Sequence, residues 1–480
     1  MAQQTDLAKV LNQKDVLALA FGAMIGWGWV VLAGDWVLSA GSLGAVVAFI
    51  LGGFAIMLIG LTYAELASAM PISGGAGVFS FRALGVTAGF ICTWSLILGY
   101  ASVVAFEAVA LPTVLDYLIP NYPQGPMLWT VAGWDVRLNW ALIGIAGSII
   151  MIVLNIFGVR QAVLMQKLVT LLIAVVGIMF VAGAFYSGSL DNAEPFFVGD
   201  SFGGAMAGIT VVLVMAPFMF VGFDVIPQTA EEINLPAKKI GSVLILSVAM
   251  AVVWYVAIAF GVGIVLDQAG LENATLSTAD AMRAAFGGAT WAGQLLVIGG
   301  IAGIVTSWNA FIVGGSRAVY AMSRAKMLPA FLSYVHPKYK TPVNAVILVS
   351  LPSVFAPLFG REALTWLVNA GGLAIVMAYG LVAISFVVLR YREKTMPRPF
   401  TVQRGLLVGW GAALSSIVMV GLYLPGSPSA LSWQEWTLFG VWFALGIAFY
   451  LSARLKHGGQ QIASTLQAQL DAHYADRKKI

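Results

Sequence analysis

Residues 22–31 read GAMIGWGWVV, inside a long apolar run close to the N-terminus. Three glycines (Gly22, Gly26, Gly28) and two tryptophans (Trp27, Trp29) fall within eight positions. A glycine inside a helix costs roughly 1 kcal/mol relative to alanine. The segment is therefore weakened where it would cross the middle of a bilayer. A broken helix exposes backbone N–H and C=O groups, each costing several kcal/mol in lipid unless a cavity, water, ion or ligand meets it. Free N–H groups at the start of the outer half favour an anion, and Gly26 and Gly28 let a ligand approach the backbone. The competing reading is close helix packing through small residues. What decides between them lies about 200 residues further on.

There, the stretch APFMFVGFDVIPQTAEE places Pro217, Gly222 and Pro227 in another apolar run. Proline removes a backbone donor and clashes with the preceding turn, so this helix is also predicted to break near the midplane. Of the 480 residues 60% are hydrophobic and 10% charged, far below the roughly 25% charge of a soluble domain. Runs of about 20 apolar residues, enough to cross a bilayer, recur throughout. The chain reads as an all-α polytopic membrane protein with twelve transmembrane helices, near 15–40, 44–70, 86–119, 138–158, 163–187, 203–229, 240–267, 291–322, 342–358, 362–390, 405–425 and 433–454. No cleavable signal peptide is expected before the first span. The single cysteine, Cys92, reads as a packing residue.

The connections then alternate sides, and 22 of the 25 basic residues fall on one of them. Only Arg137, Arg283 and Arg361 fall on the other. The positive-inside rule puts the first side, with both termini, in the cytoplasm of a cell bounded by this membrane. Basic residues spread over membrane-flanking loops are not a nucleic-acid surface. Helices 1–5 and 6–10 are offset by about 200 residues throughout, and five is odd, so the second set starts from the opposite side. This is the trace of an inverted repeat. The organisation is a tail (1–14), a first repeat (15–187), a second repeat (203–390), helices 11 and 12 (405–454) and a C-terminal tail (455–480), whose stretch 459–480 is expected as a polar helix at the cytoplasmic surface.

With these motifs in place, the chain resembles the amino acid–polyamine–organocation (APC) superfamily of transporters. The helix 1 pattern G-x-x-x-G-x-G is met by Gly22, Gly26 and Gly28. YAELASAMPISGGAGVFSF, with Glu65, Pro71, Gly74 and Gly75, is similar to the loop after helix 2. FMFVGFDVIPQTAEEINLP is similar to the helix 6 signature, and GGSRAVYAMSRAKMLPAFLSYVHPKYKTPVNA to the helix 8–9 connection. The resemblance covers about 15–455 and implies a LeuT-like 5+5 inverted repeat, with helices 1 and 6 broken, working by alternating access as a permease. It implies that the Gly22–Gly28 stretch, with Ile25, Gly26, Trp27 and Gly28, binds the substrate carboxylate. Phe220 would be an aromatic gate, Val221 and Gly222 would offer carbonyls to the ammonium, and Ser307 and Phe311 would face the substrate from helix 8.

Two departures from the family pattern stand out. Trp27 and Trp29 are bulky for the helix 1 motif; if either faces the pocket, Trp29 as a gate, the substrate must be small or flat. The helix 5 lysine of several proton-coupled members is replaced by Ile173, and Lys167, two turns away, is expected to flank the membrane. Thr306 and Ser307 are candidate hydroxyl ligands for sodium, so the coupling ion is left as proton or sodium.

Intramembrane acids are functional hypotheses by default. Glu65 and Asp224 match motif positions near the cytoplasmic ends. Asp35 and Glu107 are expected to flank one outer vestibule, attracting an amine or carrying a proton. All three histidines, His336, His457 and His473, are in cytoplasmic segments. No metal-ligand spacing, phosphate-binding loop or histidine–carboxylate cluster at membrane depth points to an enzyme, a metal or a cofactor. The leading expectation is a secondary transporter (symport or antiport) of a small amino acid. The alternatives are an amine or polyamine carrier using Asp35 or Glu107, and a membrane sensor or partner-dependent carrier subunit, although nothing in the sequence indicates an accessory subunit.

Overall fold

The computed structural model describes residues 11–119, 122–157 and 159–477. Lys9, Lys478 and Lys479 of the charge pattern lie outside them. Among the described residues, eleven helices are long and apolar enough to cross a membrane, and a shorter apolar helix, Val343–Phe359, stands where helix 9 is expected. Helix 1 runs Gln13–Met24, then Gly28–Val31 and Ala33–Ala40. Helix 2 is Ser42–Ala69, helix 3 Val86–Leu118, helix 4 Leu138–Phe157 and helix 5 Val159–Ser187. Helix 6 is divided into Phe202–Leu213, Ala216–Met219 and Val225–Gln228. Helix 7 is Ala237–Val265, helix 8 Thr290–Arg324, helix 10 Ala363–Arg392 and helix 11 Gly405–Tyr423. A two-stranded hairpin, β1 (Met127–Val131) and β2 (Trp134–Arg137), joins helices 3 and 4.

The neighbours follow the repeat. Helix 1 packs on helices 5 and 7, and its counterpart helix 6 on helices 10 and 2. Helix 5 packs on helix 8, and helix 10 on helix 3. Helices 2 with 7, 3 with 8, and 4 with 9 are pairs that exchange onto themselves. These relations survive replacing helix n by helix n+5, as two interlocked copies of one five-helix unit require, whereas the packing of helix 1 on helix 8 has no comparable counterpart between helices 6 and 3. Below, the inner face is the one carrying the start of helix 1, and the outer face is the opposite one.

Helix 1 starts at Gln13, two residues before the span boundary at 15, because Asn12 caps it. The Asn12 Oδ1 accepts from the Lys14 and Asp15 N–H groups at 3.0 and 3.2 Å, and the Asp15 carboxylate accepts from the Asn12 N–H at 2.9 Å. This reciprocal box satisfies donors the helix leaves open. Two local expectations are corrected. Lys167 does not merely flank the membrane: it forms an ion pair with Asp15 and so ties helix 5 to helix 1. Helix 12 and the C-terminal segment are two helices within Trp433–Arg477, separated by a kink at Gly458 (φ 69°). Beyond that kink Ile462, Leu466 and Leu470 are buried. At spacings of four they form one apolar face, so this segment is amphipathic and not simply polar.

Candidate functional site

The first part of helix 1 stops at Ile25 (φ −106°, ψ 72°), whose N–H still reaches the Phe21 carbonyl at 3.1 Å. The second part starts with the Val30 N–H bonded to the Trp27 carbonyl at 2.9 Å. Between them the N–H groups of Gly26 and Trp27 have no backbone acceptor among the described residues. The Met24 carbonyl, freed by the break, accepts the Tyr255 hydroxyl of helix 7 at 2.6 Å. Helix 8 passes at Gly303, where a Cβ would lie 2.6 Å from the Gly26 oxygen and 2.9 Å from the Ile25 oxygen. The break thus presents donors on one side and carbonyls on the other.

The donors already have a partner. The Trp27 N–H and the Ser307 hydroxyl are turned to the Glu107 carboxyl. A Cβ at Gly26 would collide with Glu107 Oε1 and stand 3.0 Å from Ser307 Oγ. Glu107 is 1% exposed, and its Oε2 has no hydrogen-bond partner among the described residues. Asp35 is elsewhere: it is exposed at the outer end of helix 1, with Arg361 as its opposing charge. The two acids expected around one vestibule are therefore separated, because helix 3 brings Glu107 onto the break itself.

Helix 6 opens between Met219 and Val225. Gly222 has φ +139°, and a Cβ there would meet Ala23 Cβ and the Met24 nitrogen, each at 2.8 Å. Only glycine combines that backbone with so close an approach, and the approach sets the two breaks against each other. Asp224 turns back into the protein. It accepts from the Gly222 N–H at 2.8 Å, Tyr100 of helix 3 at 2.6 Å and Tyr379 of helix 10 at 3.2 Å. Sequence reasoning missed both tyrosines: each contributes a single polar atom, and no spacing marks it.

The aromatic residues divide by direction. Phe220 lies between Phe49 of helix 2 and Tyr255 of helix 7, with ring centroids at 6.1 and 5.3 Å. Phe218, two residues earlier, points the other way, against Phe106 of helix 3 at 5.6 Å and toward Gly371 of helix 10. Phe311 sits 5.3 Å from Tyr100. Val221 is buried at the helix 6 break. Trp27 lies over Gly300 of helix 8, where a Cβ would collide with its ring. Trp29 stands edge-on to Trp254 of helix 7 at 5.2 Å. Both indoles are wedged between helices, so neither narrows the space between the breaks. Thr306 donates to the Gly303 carbonyl of its own helix at 3.0 Å, which is ordinary back-bonding. Gly22 faces helix 5, where a Cβ would stand 2.6 Å from Gln166 Nε2 and 2.7 Å from Thr170 Oγ1.

Both faces are shut over this site. On the outer side the short helix Ser277–Ala285 covers helix 1: Thr278 donates to the Trp29 carbonyl at 2.6 Å, and Tyr117 of helix 3 donates to Asp280 at 3.1 Å. On the inner side Leu11 pairs with Ile233 as an isolated parallel bridge, through Leu11 N–H to Glu232 O (3.0 Å) and Asn234 N–H to Leu11 O (2.9 Å). Glu232 also receives Arg317 of helix 8 at 2.7 and 3.3 Å, with both side chains buried. Glu65 is held by Arg390, by Arg398 at 3.0 Å and by the Val402 N–H at 2.8 Å.

A family model described as amino acid permease matches residues 11–449. The branched-chain amino acid permease BcaP of Bacillus subtilis is 28% identical over 459 residues, 95% of each chain. The methylthioribose transporter of the same organism is 29% identical over 475 residues, again 95% of each. Its aspartate-proton symporter is 25% identical over 419 residues, 85% of this chain and 78% of its own.

Proposed function

The chain belongs to the amino acid permease family, and on that premise we propose that it moves a small amino acid across the cytoplasmic membrane by alternating access, both termini inside. The observation that carries this reading is the abutment of the two breaks at Gly222 and Met24. It sets helix 1 N–H groups that lack a backbone acceptor among the described residues beside unwound backbone of helix 6. A zwitterion matches that pair of surfaces: its carboxylate takes the N–H groups at Gly26, Trp27 and Gly28, and its ammonium takes the carbonyls at Val221 and Gly222. Ser307 lies beside the carboxylate position. Phe218 faces the space between helices 3 and 10 and is suited to cover the bound molecule, with Phe220 bracing helix 6 from behind. The double closure is what an occluded intermediate needs, since one side must shut before the other opens.

A second reading has a specific observation in its favour. Glu107 already occupies the donors of helix 1, so an amine without a carboxylate would find its counter-ion in place. One experiment separates the two. Purified protein in proteoliposomes is tested for counterflow of L-leucine, L-alanine and L-threonine against isopentylamine and putrescine. The amino acid reading expects exchange of at least one of the first three. Exchange of the amines alone overturns it. In the same assay Gly26→Leu should abolish exchange while the protein remains folded and inserted, because the side chain fills the space held by Glu107 and Ser307.

A further inference from the structure

Ile462, Leu466 and Leu470 lie on a helix that the transport scheme above does not use. It stands beyond residue 449, where the match to the family ends, and follows the kink at Gly458, whose φ of 69° interrupts the run of helix 12. The three side chains are buried, while Gln460, Gln461, Ser464, Gln467 and Asp471 face outward. They belong to one continuous apolar core with Met327, Leu328 and Leu332 of the helix 8–9 connection. With its amide turned so that both ends are satisfied, Gln461 accepts from Lys326 Nζ and donates to the His457 carbonyl, each at 3.0 Å. Lys326 is the second residue after helix 8. Across the kink, helix 12 is fixed to helix 3. Trp94 and Trp442 stack at 4.6 Å, and each indole N–H donates to the other's carbonyl, at 2.9 and 3.0 Å. The C-terminal helix thus connects an anchored helix 12 to the inner end of helix 8.

A helix that lies on a membrane surface carries a broad apolar face edged with Lys and Arg. Residues 459–471 contain neither, and their buried positions follow a single row at a spacing of four. So narrow a seam suits a groove in protein. Three side chains are also little to keep a whole helix in order, so the docking is reversible, with Gly458 as its hinge. What the docked helix holds is the inner closure. Arg317 lies on helix 8, nine residues before Lys326, and is paired with Glu232 of the segment after helix 6. The same end of helix 8 is gripped twice, and a displacement that parts Arg317 from Glu232 also pulls Lys326 from Gln461. We propose that the C-terminal helix is an autoinhibitory clamp: docked, it keeps the inner end of helix 8 in the closed arrangement and slows opening to the inner face; undocked, it lets helix 8 part from the segment after helix 6. The inference rests on an inner opening that alternates with the outer one, and not on which substrate is carried.

The test needs no substrate. Asn309 sits on helix 8 two residues past Ser307, is buried, and bonds to Gln166 of helix 5 at 3.2 Å. Asn309→Cys, in a chain with Cys92→Ser, is labelled with a membrane-impermeant maleimide from the inner face of oriented proteoliposomes. Three changes are then added one at a time. Leu466→Asp puts a charge into the buried seam, Gln461→Lys sets a second cation beside Lys326, and a shortened chain ends at Gly458. Each should label about fivefold faster than its parent or more, at an unchanged melting temperature. Val30→Cys, buried beneath the outer cover, should label more slowly from outside when the same three changes are made. Equal or slower labelling of Asn309→Cys in the presence of Leu466→Asp would overturn the proposal. So would faster labelling at both cysteines, which is general loosening. If the shortened chain fails to fold, Leu466→Asp and Gln461→Lys still decide. Failure of the amino acid reading shows in substrate counterflow and leaves these labelling outcomes unchanged.

Discussion

At the scale of single residues, the glycines of helix 1 have different causes. Gly26 lacks a side chain because Glu107 and Ser307 stand where it would be, and Gly22 because helix 5 brings Gln166 and Thr170 against it. Gly222 is required twice over, by its φ and by its approach to Met24. The Asp224 clasp offers a local test. Tyr100 supplies its shortest side-chain bond, and hydrogen bonds to charged groups contribute about 1.5–3 kcal/mol. Tyr100→Phe should therefore loosen the inner half of helix 6. The native Cys92 is buried, with its Sγ 3.6 Å from the Ala76 carbonyl and 3.7 Å from that of Ala378, and serves as the reporter. Maleimide should label it about tenfold faster in Tyr100→Phe than in wild type; equal rates would show that the tyrosine only fills space.

At the scale of elements, the inner part of helix 1 is fastened more heavily than its length requires. Leu11 is bridged to the segment after helix 6, Asp15 is paired with Lys167 of helix 5, and the Ala18 carbonyl accepts from Thr170 at 3.3 Å. The Arg317–Glu232 pair fastens helix 8 to that same segment. Both partners are buried, and removing one leaves the other as an uncompensated charge, at a cost of about 3–5 kcal/mol. Arg317→Gln should lower the melting temperature markedly, and Arg317→Gln with Glu232→Gln should recover most of the loss. A double variant as unstable as the single would mean that the cost lies in packing and not in charge.

At the scale of the whole molecule, the two closures should act against each other, since alternating access opens one only with the other shut. Thr278→Val removes the bond from the outer cover to the Trp29 carbonyl, and Asp15→Asn removes the inner ion pair. The first should make an engineered cysteine near Trp29 more reactive from outside. The second should make it less reactive from outside while raising Cys92 labelling from inside. Parallel changes at both positions would indicate general loosening instead of a coupled transition.

The sequence alone determined the number of spans, their alternation, the repeat and the two breaks. Each rests on a local cause: apolar run length, basic residues in loops, and glycine or proline inside a helix. The same local causes marked Gly26 and Gly222 at the breaks, whereas Gly22 lies in the unbroken helix Gln13–Met24 and packs against helix 5. What only the tertiary structure decided is direction. Trp27 and Trp29 point between helices, Phe218 and Phe220 face opposite sides of helix 6, and Glu107 reaches the helix 1 break while Asp35 does not. The Asp224 clasp joins helices 3, 6 and 10, and the Asp15–Lys167 pair joins helices 1 and 5. In spans apolar on nearly every face, hydrophobic periodicity does not mark which side faces a pocket. That is settled by which helix lies opposite, and it depends on how two five-helix units interlock.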